Sequence, residues 1–332
     1  MKKAEISVII PTVGRVNMLL SCLQSIYSQS IIPIEIVIVD NSEDRLSKKI
    51  KAEFYKKLCA QNSYTSINLI YIREKRKGVS FAQNAGLRTA KYDLVVFIDD
   101  DCVAVSGWME KVLRSARLNK NSVIQGISMN GIPENIYSCV EFFNTQIFFQ
   151  SGEYKSYNHL CYTNLLDTKN CIIRKSLFRK LPIFDIRLDK YSDIDFGLKI
   201  LDKGIKIIID KTLKVRHFGR PDMKSHFSRE LERGKYYRRF QKKWQYHILH
   251  EKNIMHKLQQ MKEKKMQILK KKLKRKLLIR KSIFFRLFFH LILFFNPFFV
   301  WSGYLFEKFF SDNNFTSIFL PRNSFTRHKR IQ

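Results

Sequence analysis

The sequence predicts an α/β fold, a mostly parallel sheet with helices on both faces, and three observations support this class. Short, continuously apolar runs alternate with helix-favouring runs through the first hundred residues. Strands that are buried on both faces have this unbroken apolar character, and their alternation with helices is typical of parallel sheets. Polar residues follow three of the apolar runs directly, at the strand ends where such sheets bind ligands.

The elements follow one another in a regular order. The apolar runs predict four strands, at residues 5–10, 34–40, 66–72 and 92–98. The segments with apolar residues at helical spacing predict helices at residues 16–28 and 79–90. Three polar segments stand at the predicted strand ends: Pro11-Thr12, Asp40-Asn41-Ser42 and Asp99-Asp100-Asp101. We therefore expect a ligand site at this edge of the sheet.

The three adjacent acids Asp99, Asp100 and Asp101 are the most informative local feature. Their carboxylates repel one another, so beside a buried sheet they would be destabilising without a compensating cation. Carboxylate oxygens suit Mg²⁺ or Mn²⁺, which proteins often share with substrate phosphates. Asp also favours solvated loops and helix N-caps, so this structural alternative stays open. Asp40 is a weaker signal, since a strand-end Asp serves equally as a turn residue.

The positive charge of the 332-residue chain is concentrated in one segment. Residues 224–281 carry 21 Lys and Arg against 4 Asp and Glu, which is +17 of the total +32. The segment lacks Pro, contains a single Gly, and has the Lys, Gln, Met, Leu and Glu content that favours helix. These shifts in composition divide the chain into an α/β domain at 1–223, a basic helical segment at 224–281 and an apolar, then basic, C-terminal part at 282–332.

The most apolar stretch of the chain is residues 283–306, which is long enough to span a membrane. Arg286, His290 and Asn296-Pro297 interrupt it, and basic residues flank both ends, so the positive-inside rule gives no clean orientation. Three placements stay open: a helix lying in the membrane interface or a re-entrant hairpin bent at Asn296-Pro297, a single span, and a buried helix of an oligomer.

Bases and aromatic residues are interleaved in residues 226–247. Such a mixture binds single-stranded nucleic acid by stacking and phosphate contact, or lies on anionic lipid. The apolar stretch that follows favours an anionic membrane surface, so nucleic acid is not expected as a partner. The N-terminus lacks a signal-peptide core, and six scattered cysteines are typical of reduced cytosolic thiols. We therefore expect the protein at the cytoplasmic face of the cell membrane, whether peripheral, re-entrant or single-span.

The order of several segments resembles glycosyltransferase family 2, which has the GT-A fold. The matching segments are ISVIIPTVGR, IEIVIVDNSED, KGVSFAQNAGLRTAKYDLVVFIDDD, TKNCIIRKSLFRKLPIFDIRLDKYSDIDFGLKILDKGIKI and VRHFG. Together they cover roughly residues 5–220. The resemblance implies transfer of a sugar from a nucleotide diphosphate sugar to an acceptor hydroxyl, with inversion at the anomeric carbon and with Mn²⁺ or Mg²⁺ as cofactor.

The resemblance also implies roles for individual residues at the donor site. Pro11-Thr12 begins the segment that cradles the nucleotide base, and Asp40 resembles the aspartate that contacts the base. Asp99 and Asp101 are the outer acids of the DxD motif, with Asp101 in the metal-coordinating place and Asp100 directed toward the ribose or the sugar. His217, in VRHFG, stands where many members place a histidine near the metal.

Asp193 falls where the family keeps its catalytic aspartate, which removes the acceptor proton. Here Ser192 replaces the usual Glu and Tyr191 the usual Gly, so Asp195 stays a rival for this role.

We expect an inverting transferase acting on a glycan or lipid-linked acceptor in surface polysaccharide synthesis. Two alternatives are a sugar-nucleotide nucleotidyltransferase and a basic nucleic-acid-binding protein with a degenerate catalytic domain.

Overall fold

The computed structural model describes most of the chain. The described residues are 2–43, 67–151, 153–178, 184–219, 221–250 and 281–312, with the single residues 52, 56, 271 and 274. Most of the second half of the basic segment and the basic C-terminal tail lie outside the described residues, and so do the predictions made for them.

Ten strands form one sheet within the described part of the chain. They are β1 (Lys2–Thr12), β2 (Ile31–Asp40), β3 (Asn68–Arg73), β4 (Leu94–Ile98), β5 (Cys102–Ala104), β6 (Ser122–Asn130), β7 (Glu153–Tyr157), β8 (Leu160–Thr163), β9 (Asn170–Arg174) and β10 (Lys206–His217). The strand order is β3-β2-β1-β4-β9-β6-β10-β8-β7, and β5 pairs with β10. The four strands predicted in the first hundred residues correspond to β1, β2, β3 and β4.

The sheet is parallel in one half and mixed in the other. The strands β3, β2, β1 and β4 are parallel, as their alternation with helices predicts. β9 then enters between β4 and β6 and is antiparallel to both. The β7–β8 hairpin extends the far edge, where β8 is antiparallel to β10. The apolar pattern of a buried strand does not encode its direction, so the sequence revealed only the parallel half.

Seven α-helices cover the sheet or pack beside it in the described residues. They are α1 (Val16–Tyr27), α2 (Val79–Thr89), α3 (Trp108–Leu118), α4 (Ile136–Ser151), α5 (Ser192–Asp202), α6 (Met223–His250) and α7 (Ile283–Asp312). One core layer joins α1 and α3 to the sheet, with Leu23 and Trp108 fully buried. The second layer, which includes Phe196 and Ile200 of α5 and also residues of α2, covers the opposite face. The predicted α/β architecture with helices on both faces is confirmed.

The two long helices α6 and α7 cross with their backbones in direct contact. A Cβ placed on Gly234 of α6 would lie 1.8 Å from the carbonyl oxygen of Val300, and one on Gly303 of α7 would lie 1.9 Å from that of Leu231. Only glycine permits so close an approach. Gly234 is the single glycine of the basic segment, and the helix crossing explains why this position has no side chain.

The helix α7 also packs on the catalytic part of the chain. Phe289 and Ile292 are buried against Val140 and Phe143 of α4, in a third apolar cluster. The rings of Phe143 and Phe289 meet edge to face at 5.7 Å. The apolar C-terminal helix is therefore attached along one side to the domain that carries the sheet.

Many bases of α6 are paired inside the protein. Arg239 pairs with Glu307 of α7 at 2.7 Å, and Lys243 pairs with Asp185 at 2.6 Å. Arg229 pairs with Glu141 of α4. The net charge of the segment, which is summed from the sequence, does not show that these bases have acidic partners in the fold. The described part of the basic segment is therefore in large part a packing element.

The opposite face of α7 is apolar and exposed. The large apolar side chains on it are Ile283, Phe284, Leu287, Phe288, Leu291, Phe294, Phe295, Phe298 and Trp301, which are 45% to 76% exposed. The stretch Ile283–Leu305 has the length and composition of a membrane-crossing helix. The helix continues through Asn296-Pro297, so the hairpin considered for this position is wrong. Asn296 is instead buried, with its Oδ1 2.8 Å from Nε2 of His226.

Candidate active site

A cleft of about 650 Å³ lies at the carboxyl ends of β1 and β4. Thr12 at the end of β1 is in register with Asp40 at the end of β2, which brings the predicted polar strand ends to one edge of the sheet. The predicted residues that line the cleft are Pro11, Thr12, Asp99, Asp100, Asp101, Asp193 and His217. The first and the last of them, Pro11 and His217, are 206 positions apart in the sequence, and the sheet topology brings them together.

Arg15 compensates two of the three adjacent acids. Its Nη1 donates to Oδ2 of Asp101 at 2.6 Å, its Nη2 contacts Asp100, and Nε lies 3.3 Å from Oδ2 of Asp100. The hydroxyl of Thr12 donates to the same Oδ2 of Asp100 at 2.6 Å. The solvated-loop alternative is wrong, because Asp100 is only 1% exposed and Asp101 8% exposed.

The three carboxyls have different electrostatic environments. Burial, and then the neighbouring Asp101, raise the pKa of Asp99 to about 8. Burial also raises the pKa of Asp100, against the opposing effect of Arg15. Burial alone would raise the pKa of Asp101 too, but His217 and Arg15 together hold it below its ordinary value. Asp101 therefore keeps its negative charge at neutral pH.

His217 reaches the acids because it ends β10. The register of β10 places His217 opposite Cys102 of β5, and the Phe218 N–H donates to the Asp101 carbonyl at 2.8 Å. Nε2 of His217 lies 3.5 Å from Oδ1 of Asp101. Burial lowers the pKa of His217, so the imidazole is neutral at pH 7 and has a free lone pair on one nitrogen.

Asp193 also lines the cleft, from the first turn of α5. Burial, and then the charge of Asp167, raise its pKa to about 6, while Lys169 opposes that shift. Lys169 and Asp167 line the cleft as a pair, 2.7 Å apart. Asp193 is thus ionised at neutral pH and has a strong tendency to take up a proton.

Asp195 does not line the cleft. It is fully buried on the other side of α5, where it pairs with Lys199 at 2.6 Å and with Lys243 of α6. The indole Nε1 of Trp244 donates to its Oδ1 at 3.0 Å. These contacts join α5 to α6.

Asp40 is also fully buried and does not line the cleft itself. Its Oδ1 accepts from the Ser42 N–H at 2.9 Å and lies 3.8 Å from Nη1 of Arg73. Its neighbours Asn41 and Ser42 line the cleft. Asp40 thus shapes the turn that carries those neighbours.

Sequence reasoning missed the cations of the site. Arg15, Lys169, Arg229 and Arg233 line the same cleft as the acids. The only signal available was Arg15, which closes the segment PTVGR after the first strand. The other three come from loops and helices whose approach to the acids depends on the tertiary fold.

The chain is similar to known glycosyltransferases. The model of the family described as "Glycosyl transferase family 2" matches residues 7–181. The glycosyltransferase AglE of Haloferax volcanii is 22% identical over 65% of this chain and 67% of its own length. The glycosyltransferase GlyA of Streptococcus pneumoniae is 33% identical over 32% of this chain, but over only 14% of its own length.

The chain is also similar to a third relative and to one solved structure. The glucosyl-dolichyl phosphate glucuronosyltransferase of H. volcanii is 21% identical, covering 59% of this chain and 62% of its own length. The chain therefore spans only part of these curated relatives. The mannosyltransferase PcManGT of Pyrobaculum calidifontis, solved with GDP-Man and Mn²⁺, superposes with a TM-score of 0.57 at 15% identity, over 94% of this chain and 87% of the other.

The structural likeness shows a shared GT-A fold, and the family match begins in β1 and passes through the three acids. Since that match spans more than half of the residues, the chain belongs to glycosyl transferase family 2.

Proposed function

We propose that this protein is an inverting glycosyltransferase, which moves a sugar from a nucleotide diphosphate sugar to a hydroxyl of a glycan or lipid-linked acceptor. The observation that carries the proposal is the cleft itself, which is lined both by Asp99, Asp100 and Asp101 after β4 and by Asp193 in the first turn of α5. The family match supports this function over a nucleotidyltransferase or a nucleic-acid-binding protein.

The donor site would use the strand ends. The segment that begins at Pro11-Thr12, together with Asn41 and Ser42, offers backbone and hydroxyl groups to the nucleotide. Asp40 supports that segment from behind, through its contact with the Ser42 N–H. Arg15 and Lys169 add positive charge where the diphosphate would lie, since both line the cleft beside the acids.

Asp101, with Asp99 and His217 near it, would hold a divalent cation, since carboxylate and imidazole ligands suit Mn²⁺ or Mg²⁺. A bound cation would favour the ionised form of Asp99. The described residues contain no group of three metal ligands already gathered around one point, so these side chains would come together when the metal binds. The PcManGT complex holds Mn²⁺, which supports this assignment. When bound, the metal would offset the charge of the departing diphosphate.

Asp193 would act as the base of a single displacement. Its carboxylate would accept the proton of the acceptor hydroxyl as the oxygen attacks the anomeric carbon and the bond to the diphosphate breaks. One displacement inverts the configuration at that carbon. Asp193 lines the cleft, which favours it over Asp195, whose buried carboxylate pairs with Lys199 and Lys243.

The exposed apolar face of α7 supports work at a membrane, and we place the cleft at the cytoplasmic face. A helix attached along one side and apolar on the other is suited to lie in the membrane interface. A glucosyl-dolichyl phosphate glucuronosyltransferase is among the relatives, which supports a lipid-linked acceptor. A role in surface polysaccharide synthesis would follow from such an acceptor.

The test is a donor panel. Detergent-purified protein is incubated with UDP-, GDP- and dTDP-sugars, Mn²⁺ or Mg²⁺, and a membrane lipid extract as the source of acceptor. Release of nucleoside diphosphate from one donor, abolished by a chelator, is the expected result, and NMR of the product should show the inverted anomer. Failure to bind or turn over any donor would contradict the proposal, and retention of configuration would contradict the single displacement.

A further inference from the structure

A second cavity, of about 860 Å³, lies between α4, α6 and α7, beside the catalytic cleft. Tyr191 and Arg233 line both cavities, so the two cavities adjoin at these side chains. The lining also includes Trp301, which is 58% exposed on the apolar face of α7. The cavity therefore connects the catalytic cleft with the surface that we place against the membrane.

The lining suits a ligand with an apolar chain and an anionic group. The apolar part of the lining includes Phe143, Leu293 and Val300. The charged part consists of Arg233, Lys271, Lys274 and Glu230, so cations prevail. Glu230 already pairs with Arg233, at 3.1 Å. An anion that carries a lipid chain fits such a lining. A free sugar would leave the apolar side chains of the cavity without an apolar partner.

The backbone of Tyr191, between the two cavities, is strained. This residue precedes α5 with a backbone φ of +130°, a conformation that is strained for any residue but glycine. Its ring stacks on Phe240 at 5.5 Å and lies 5.7 Å from that of Tyr237. Strain of this kind persists only where the surroundings enforce it, and it concentrates at functional sites. Here the strained residue stands at the boundary between the two cavities, two positions before Asp193.

We propose that the second cavity binds the phosphate and the first lipid carbons of a lipid-linked acceptor, with Arg233 contacting the phosphate and Tyr191 positioning the acceptor sugar toward Asp193. This inference rests on the proposed function and names the part of the chain that recognises its acceptor. The lipid tail leaves the cavity beside Trp301 and enters the membrane along the exposed face of α7.

Calorimetry on the full chain in detergent tests this site with farnesyl phosphate as the probe. Farnesol serves as the uncharged match, and inorganic phosphate as the match without a lipid. Farnesyl phosphate is expected to bind, farnesol to bind about tenfold more weakly or worse, and inorganic phosphate not to compete. Equal binding of farnesol, or displacement of the probe by inorganic phosphate, would overturn the proposal.

Two changes on α7 locate the binding. Val300→Phe fills the cavity and should abolish binding of farnesyl phosphate, whereas Leu291→Phe, on the exposed face of the same helix, should leave it unchanged. Arg233→Gln should weaken the phosphate probe about tenfold without changing the affinity for farnesol. Unaltered binding by Val300→Phe would refute the site.

Binding of UDP and GDP with Mn²⁺ to the same samples separates the two hypotheses. Nucleotide binding without any binding of farnesyl phosphate would refute the acceptor cavity and leave the transferase proposal standing. If the wild-type protein binds neither a nucleotide nor farnesyl phosphate, both the proposed function and the acceptor cavity are refuted.

Discussion

Asp193 combines access to the cleft with a pKa raised to about 6 by burial and by Asp167. A base with a raised pKa takes up its proton as the pH falls through that value, and the protonated form cannot accept another. We therefore expect kcat/KM for transfer, which reports the free enzyme, to fall about tenfold per pH unit below pH 6. Asp202→Asn, an exposed acid at the end of the same helix, should show the same profile. A flat profile between pH 5 and 7 would contradict the assignment.

Asp195 is expected to contribute stability and not chemistry. Asp195→Asn leaves the amines of Lys199 and Lys243 without their buried anion, which should cost about 1–3 kcal/mol. The thermal unfolding midpoint in detergent should fall by about 1.5–4 °C. Asp193→Asn is the matched change two residues earlier and should leave the midpoint near its original value. A stable but inactive Asp195→Asn protein would make Asp195 the base.

Among single residues, the acids of the site could be predicted from the sequence, but the basic residues that contact them could not. Asp99, Asp100 and Asp101 stand out because adjacent carboxylates are costly near a buried sheet. Arg15 and Lys169 look like ordinary surface bases, since nothing local to either position indicates the tertiary contact. The choice between Asp193 and Asp195 likewise depended on which side of α5 faces the cleft, and this required the packing of α6.

The crossing of the helices α6 and α7 depends on two glycines, Gly234 and Gly303. A methyl group at Gly234 would lie 1.8 Å from the Val300 carbonyl oxygen, so the helices would have to separate. Gly234→Ala and Gly303→Ala should each destabilise the protein by about 1–3 kcal/mol, measured as the thermal unfolding midpoint. Ser302→Ala, beside Gly303, should change stability by less than about 0.5 kcal/mol. Tolerance of both glycine changes would show that the helices do not cross in this way.

Elements with a strong local pattern were predictable, and those that depend on distant partners were not. The strands β1 to β4 and the helices α1 and α2 follow from apolar runs and helical spacing. The antiparallel insertion of β9 and the β7–β8 hairpin are choices of pairing that an apolar run does not specify. The apolar helix α7 was expected, but its continuity through Pro297 and its attachment to α4 depend on contacts made by Asn296 and Phe289.

At the scale of the whole molecule, the exposed face of α7 should bind membranes. The double change Phe294→Asp and Phe298→Asp places two charges where side chains 76% and 59% exposed would enter the interface. Each lost phenylalanine removes about 1.5–3 kcal/mol of apolar burial, so vesicle binding should fall more than about tenfold. The assay is co-sedimentation with vesicles of phosphatidylethanolamine and phosphatidylglycerol.

The matched control for membrane binding is Leu118→Asp, which changes an apolar residue that is 64% exposed at the end of α3. It should leave co-sedimentation unchanged. Equal losses in both proteins would indicate a general effect of added negative charge, and no loss in the double variant would contradict membrane docking through α7.

The central claim is that one cleft joins the acids at the end of β4 to a base on α5. Its most direct test compares rates of nucleoside diphosphate release, with the donor found active, for wild type, Asp101→Asn, Asp193→Asn and Asp202→Asn. We expect Asp101→Asn and Asp193→Asn to lose activity about 100-fold or more, and Asp193→Asn still to bind the donor. Asp202→Asn should match wild type. Full activity in Asp193→Asn, or equal losses in all three variants, would contradict the central claim.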